Sequence, residues 1–141
     1  MDDPITNFQF MVDFGGETTS FQEVILPESE IDVIEYRDGS DVSAGVRKLS
    51  GRVKYSNLIL RRGLIKSSEL YEWFKQTKQG ILERKDITVS ILNDEREPFA
   101  IWKLKNCWPT KYNSSVLKAT GNEVIMEILE IATEDVDLEI K

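Results

Sequence analysis

Residues 47–66 read RKLSGRVKYSNLILRRGLIK, a stretch with seven Lys or Arg and no Asp or Glu, in a chain of 141 residues whose formal net charge is −7. Within 52–60, Val53, Tyr55, Asn57 and Ile59 alternate with Arg52, Lys54, Ser56, Leu58 and Leu60, the period of an extended strand. The arms 42–49 and 52–60 look like a hairpin around Ser50-Gly51, and each arm lacks large apolar residues on one face. Three partners for this charge are open: a polyanion such as nucleic acid or membrane phosphate, solvent alone, or an acidic surface on a second copy of the chain. The alternation puts the bases on both faces and at both ends, whereas a duplex reader gathers them beside groove-reading side chains.

Outward from this stretch the charge is segregated. Residues 1–36 hold nine acids and no base, and residues 122–141 hold seven acids with only Lys141 in opposition. Acidic ends and a basic middle permit either internal pairing or a head-to-tail contact between copies. The length suits one domain, 1–141, and the composition, 40% hydrophobic and 30% charged, is that of a folded chain. No apolar run approaches the roughly 20 residues of a membrane span. The start MDDPITNFQF has neither the basic region nor the apolar core of a signal peptide, so folding in a cytoplasm without a membrane anchor is expected.

Period two dominates the rest. Phe8, Phe10, Val12 and Phe14 alternate with polar residues, and FQEVIL (21–26), IDVIEY (31–36), DITVSIL (86–92), FAIWKLKNCW (99–108), VLKA (116–119) and EVIMEILEIA (123–132) read as further strands. The 123–132 strand is apolar on both faces and is expected to be buried on both sides. A final strand through Val136, Leu138 and Ile140 is compatible with the alternation. One helix stands out at about 67–79. Ser67 or Ser68 caps it, Leu70, Trp73 and Phe74 form its core face, Lys75 and Lys78 suit its C-terminal end, and Gly80 stops it. The class is therefore mainly β, a β-sandwich or small barrel with one packed α-helix.

Catalytic chemistry finds little support. There is no histidine, which removes Ser-His-Asp and Cys-His catalysis and His-ligated metals, and the single cysteine, Cys107, cannot build a disulfide or a zinc site of paired cysteines. Asp94, Glu95 and Glu97 form an acidic hairpin tip without the spacing of a calcium loop, and RRGLIKSS lacks the spacing of a P-loop. No catalytic, cofactor or metal site is expected. Trp102 and Trp108 sit in strand context, where packing is the default use and base stacking the alternative.

Six pieces in one order, FQEVILPESEIDVIEYRDG, RKLSGRVKYSNLILRRG, SELYEWF, ERKDITVSILNDE, IWKLKNCWPTKY and LKATGNEVIMEILEIATE, resemble the inner tube protein of contractile phage tails and phage-tail-like injection particles. The chain departs from that family at Leu26-Pro27, where the family often has a small Ser-Gly turn, and the tail DVDLEIK is not matched. The resemblance implies a domain related to the type VI secretion tube protein, forming hexameric rings that stack into a hollow conduit inside a contractile sheath. Implied partners are the chain itself, the sheath protein, baseplate or spike and terminator proteins, and cargo, DNA or a protein effector, in the lumen. It further implies that the segment at about 37–60 is a hairpin joining the neighbouring subunit. Tyr36, Arg37, Arg47, Lys48, Leu49, Arg52, Lys54, Tyr55, Asn57 and Leu58 then lie at the boundary, and Arg47, Lys48, Arg52 and Lys54 are expected to meet acidic residues of the next copy. The reading from another class is a monomeric nucleic-acid-binding β-barrel module.

Overall fold

A computed structural model describes residues 9–37, 45–114 and 125–141. Ten strands and one helix follow in the order β1 (Gln9–Asp13), β2 (Thr18–Thr19), β3 (Glu23–Ile25), β4 (Ser29–Tyr36), β5 (Arg47–Tyr55), β6 (Leu58–Gly63), α1 (Glu69–Lys78), β7 (Lys85–Leu92), β8 (Pro98–Ser114), β9 (Met126–Ala132) and β10 (Asp135–Ile140). The strand expected at 116–119 and the residues Phe8 and Val124 lie outside the described residues.

The long strand β8 organises the body. Its first half pairs with β7 on one side and β10 on the other, giving a layer in the order β2-β1-β7-β8-β10. From Trp108 to Ser114 it pairs with β9, giving a second layer in the order β8-β9-β6-β3. The corner falls at Asn106. Between the pairs Lys85↔Cys107 and Ile87↔Leu104, β8 advances three residues while β7 advances two, so β8 carries one extra residue and bends. Asn106 takes a left-handed φ of 53°, which asparagine tolerates better than most residues. Its backbone N–H donates to Asp86 Oδ1 at 3.1 Å and its Nδ2 to Glu134 Oε2 at 3.0 Å, so the strained residue is held from both sides. Among the described residues the two layers share β8 and do not close, which makes the architecture a sandwich and not a barrel.

Facing rows of apolar side chains fill the space between layers. Val12, Ile87, Val89 and Leu104 come from the first layer, and Leu58, Leu60, Leu129 and Ile131 from the second, all buried. Helix α1 covers the core with Leu70 and Trp73 buried and Phe74 half-buried. The Trp73 indole donates to the Glu83 carbonyl at 2.8 Å, and Phe14 meets its ring edge-on at 6.1 Å. The helix starts at Ser68 without a side-chain cap bond, and the Ser67 hydroxyl accepts only a long 3.5 Å bond from the Glu69 N–H. It ends where Gly80 adopts φ +91°.

Three strand readings change. The 21–26 strand starts two residues later as the short β3, β8 runs on through Asn113 and Ser114, and β9 is buried on one face only. That buried face holds Glu127 beside Leu129 and Ile131. Glu127 lies opposite Arg62 in the ladder and accepts from its Nε at 2.9 Å, while the Tyr112 hydroxyl donates to the other carboxylate oxygen at 2.9 Å. The ring of Phe21 lies 5.4 Å from the guanidinium of Arg62.

Candidate assembly surface

The basic stretch does not fold back on itself at Ser50-Gly51. Both residues lie inside β5, a continuous strand, and the arm opposite it is β4. The paired arms are therefore Ser29–Tyr36 and Arg47–Tyr55, so the hairpin starts at Ser29 and ends at Tyr55 and does not span 37–60. The physical reason is a bulge. Ile31↔Val53 is followed by Val33↔Ser50, so Gly51 and Arg52 together oppose Asp32. A β-carbon on Gly51 would lie 3.0 Å from Ile34 Cγ1 and 3.2 Å from Asp32 Cβ, so the glycine serves close cross-strand approach and not a turn.

Among the described residues β4 and β5 pair only with each other, forming a two-stranded sheet apart from the sandwich. Its two faces follow from the register. Ser29, Ile31, Val33 and Glu35 share one face with Tyr55, Val53, Ser50 and Lys48; Glu30, Asp32, Ile34 and Tyr36 share the other with Lys54, Gly51, Leu49 and Arg47. Apolar side chains are exposed on both: Val33 at 62%, Ile31 at 55% and Leu49 at 51%. An isolated two-stranded hairpin is marginal in water, and this one leaves its apolar side chains uncovered on both faces.

Tyr36, Arg37, Arg47, Lys48, Leu49, Arg52 and Lys54 are all exposed on or next to this sheet. Lys54 already has an internal partner, Asp32, with Nζ to Oδ1 at 2.9 Å; that hydrogen bond and the Asp32 charge raise its pKa. Tyr55 sits at the root, where its hydroxyl donates to Asp135 Oδ1 at 3.0 Å and ties the hairpin to the start of β10; that bond is the first cause of its raised pKa. Asn57 is exposed in the link to β6. Leu58 belongs elsewhere: it opens β6 and is fully buried in the core, so its side chain is unavailable to a neighbour. The sequence reading missed Ile31, Val33 and Ile34 as surface residues. The signal was the run IDVI, apolar on both faces in a segment flanked by charge.

A cleft of about 340 Å³ beside α1 is lined by Glu17, Glu69, Glu72, Trp73 and Lys85 among others. Cys107 is fully buried, its thiol pKa pushed up by burial, and it lies 3.4 Å from the Thr133 hydroxyl. None of the helices described is long and apolar enough to cross a membrane.

The family model described as T4-like virus tail tube protein gp19 matches residues 6–137. A chain in the cryo-EM structure of the sheath–tube complex of PVC, an extracellular contractile injection system, is 30% identical with a TM-score of 0.87, over 98% of this chain and 93% of that one. A chain of the tube-terminating cap of the anti-feeding prophage is 27% identical with a TM-score of 0.89, over 100% and 94%. Hcp1 from Flavobacterium johnsoniae, 16% identical with a TM-score of 0.61 over 94% and 96%, shares the fold. No curated protein sequence matches at a significant level. With the family model spanning nearly its whole length, the chain belongs to the family of the T4-like virus tail tube protein gp19.

Proposed function

We propose that this chain, acting as one domain, is a structural subunit of the inner tube of a contractile injection system or phage tail. Its copies form hexameric rings that stack into a hollow conduit. A surrounding sheath drives the conduit through a target envelope, baseplate and terminator proteins bound its ends, and the lumen carries DNA or a protein effector. The mechanism is passive and needs no catalytic group or cofactor, and assembly takes place in the cytoplasm of the producing cell.

The observation that carries this reading is the β4–β5 sheet, which stands apart from the sandwich with Ile31, Val33, Ile34, Leu49 and Val53 exposed. Such a sheet gains by covering those side chains with a second copy, at roughly 25 cal/mol per Å² of apolar surface removed from water. Head-to-tail contacts of this kind close into rings, and rings stack open-endedly by a second heterologous contact.

Negative-stain electron microscopy of the purified chain tests it. Hollow rings or tubes are expected. A monodisperse monomer that is retained on DNA or RNA and released by salt would overturn the reading in favour of a nucleic-acid-binding module.

A further inference from the structure

Two strands of this chain are open at one edge and carry opposite charge. β5 pairs only with β4, and β10 pairs only with β8, among the described residues. β5 holds Arg47, Lys48, Arg52 and Lys54 and no acid; β10 holds Asp135, Asp137 and Glu139 and no base. Of the four β5 bases, only Lys54 has an ion pair among the described residues. Edge strands that bear charge of one sign resist pairing with their own kind, so β5 repels β5 and β10 repels β10. Unlike edges attract.

The faces match as well as the signs. On β10, Val136, Leu138 and Ile140 continue the inner rows of the first layer, opposite Leu104, Trp102 and Ala100. Leu138 is 45% and Ile140 73% exposed, although Ala100 beside Ile140 in the ladder is buried. Asp135, Asp137 and Glu139 point the other way. On β5, Val53 and the neighbouring Ile31 and Val33 of β4 share one face, and the bulge puts Arg52 with Gly51 on the opposite face, with Arg47 and Lys54. A β5 strand laid along β10 thus extends the uncovered apolar row with Val53, Ile31 and Val33 while setting Arg52 and Arg47 on the side of Asp137 and Glu139. The edge of β4 does not serve, because its Glu30, Asp32 and Glu35 would face an acidic strand.

Resting on the proposal that the chain forms rings, we infer that the receiving surface for the hairpin is the β10 edge of the adjacent copy, paired with β5 as an added strand. The contact is heterologous, one donor edge and one acceptor edge per chain, so copies run head to tail.

The test uses the full chain with Arg52→Glu, Asp137→Lys and both together, and separately the pair Arg52→Cys with Asp137→Cys; Cys107 is fully buried and stays silent in the folded chain. All these positions but Cys107 are exposed, and circular dichroism checks each variant's fold. Each single reversal is expected to raise the concentration needed for rings about fivefold or more at low salt, and the charge swap to bring it back toward the original value. Mild oxidation of the double-cysteine variant is expected to give an inter-chain ladder that ends at the ring size. If the original chain forms rings but the swap restores nothing and no ladder appears, the β10 assignment is overturned while the tube reading stands. If the original chain forms no rings at all, both fall.

Discussion

Glu127 offers the sharpest test of what holds the body together. Its carboxylate is 1% exposed, accepts from Arg62 Nε at 2.9 Å and from the Tyr112 hydroxyl at 2.9 Å, and sits between layers of leucine and isoleucine. Glu127→Gln keeps the shape but removes the charge, leaving the buried guanidinium of Arg62 without its counter-ion. Among the described residues Arg62 Nη2 has no hydrogen-bond partner. Removing one member of a buried pair costs about 3–5 kcal/mol. Against a total stability of about 5–15 kcal/mol this is a large share. With a urea slope of about 2 kcal/mol/M, a loss near 4 kcal/mol moves the unfolding midpoint down by about 2 M. Tryptophan fluorescence during urea titration of the unassembled subunit measures it. The triple replacement Arg62→Met, Glu127→Leu, Tyr112→Phe fills the same space without charge. It is expected to lie within about 1–2 kcal/mol of the original chain, well above Glu127→Gln alone. A Glu127→Gln loss below about 1 kcal/mol would show that the pair is effectively hydrated and refute the burial argument.

The same cluster makes alkaline stability depend on Tyr112, whose pKa burial and the hydrogen bond to Glu127 push up to about 12. Because the folded value exceeds the unfolded one near 10, the folded chain holds the proton longer. Stability is then full below about pH 10 and falls by an amount of order 1–2 kcal/mol as pH rises toward 12, and pH-dependent denaturation of Tyr112→Phe should lack that component. Cys107 should react with a thiol reagent at a negligible rate in the folded subunit and rapidly in urea, since burial raises its pKa and hides the sulfur; equal rates in both would refute its placement. Gly51→Val should leave the urea midpoint of the sandwich nearly unchanged but impair ring formation, because its side chain displaces Ile34 and Asp32 at a cost of about 1–3 kcal/mol in the hairpin. Analytical ultracentrifugation separates the two effects.

How far the fold was legible follows from which residues carry a local signal. The helix was, because Leu70, Trp73 and Phe74 recur at helical spacing and Gly80 alone suits φ +91° at its end. Most strands were as well, from their period of two. Ser50-Gly51 misled, because a glycine after a serine has the same local signature whether it turns the chain or admits a bulge, and only the packing of Ile34 over it distinguishes the cases. Leu58 misled for a related reason: alternation says which residues share a face, not which face meets the core, and Leu58 went inside with Leu60 and Arg62.

By itself the chain's order of residues determined the β class, the single helix, the lack of histidine chemistry and the segregation of charge, all of which are properties of composition and short-range period. The tertiary structure alone decided that β4 is the partner of β5, that Arg62 and Glu127 meet at a separation of 65 residues, and that β10 pairs only with β8 among the described residues. Those are pairings between distant segments, selected by which combination buries the most apolar surface with its polar groups satisfied, and no window of local sequence contains that comparison.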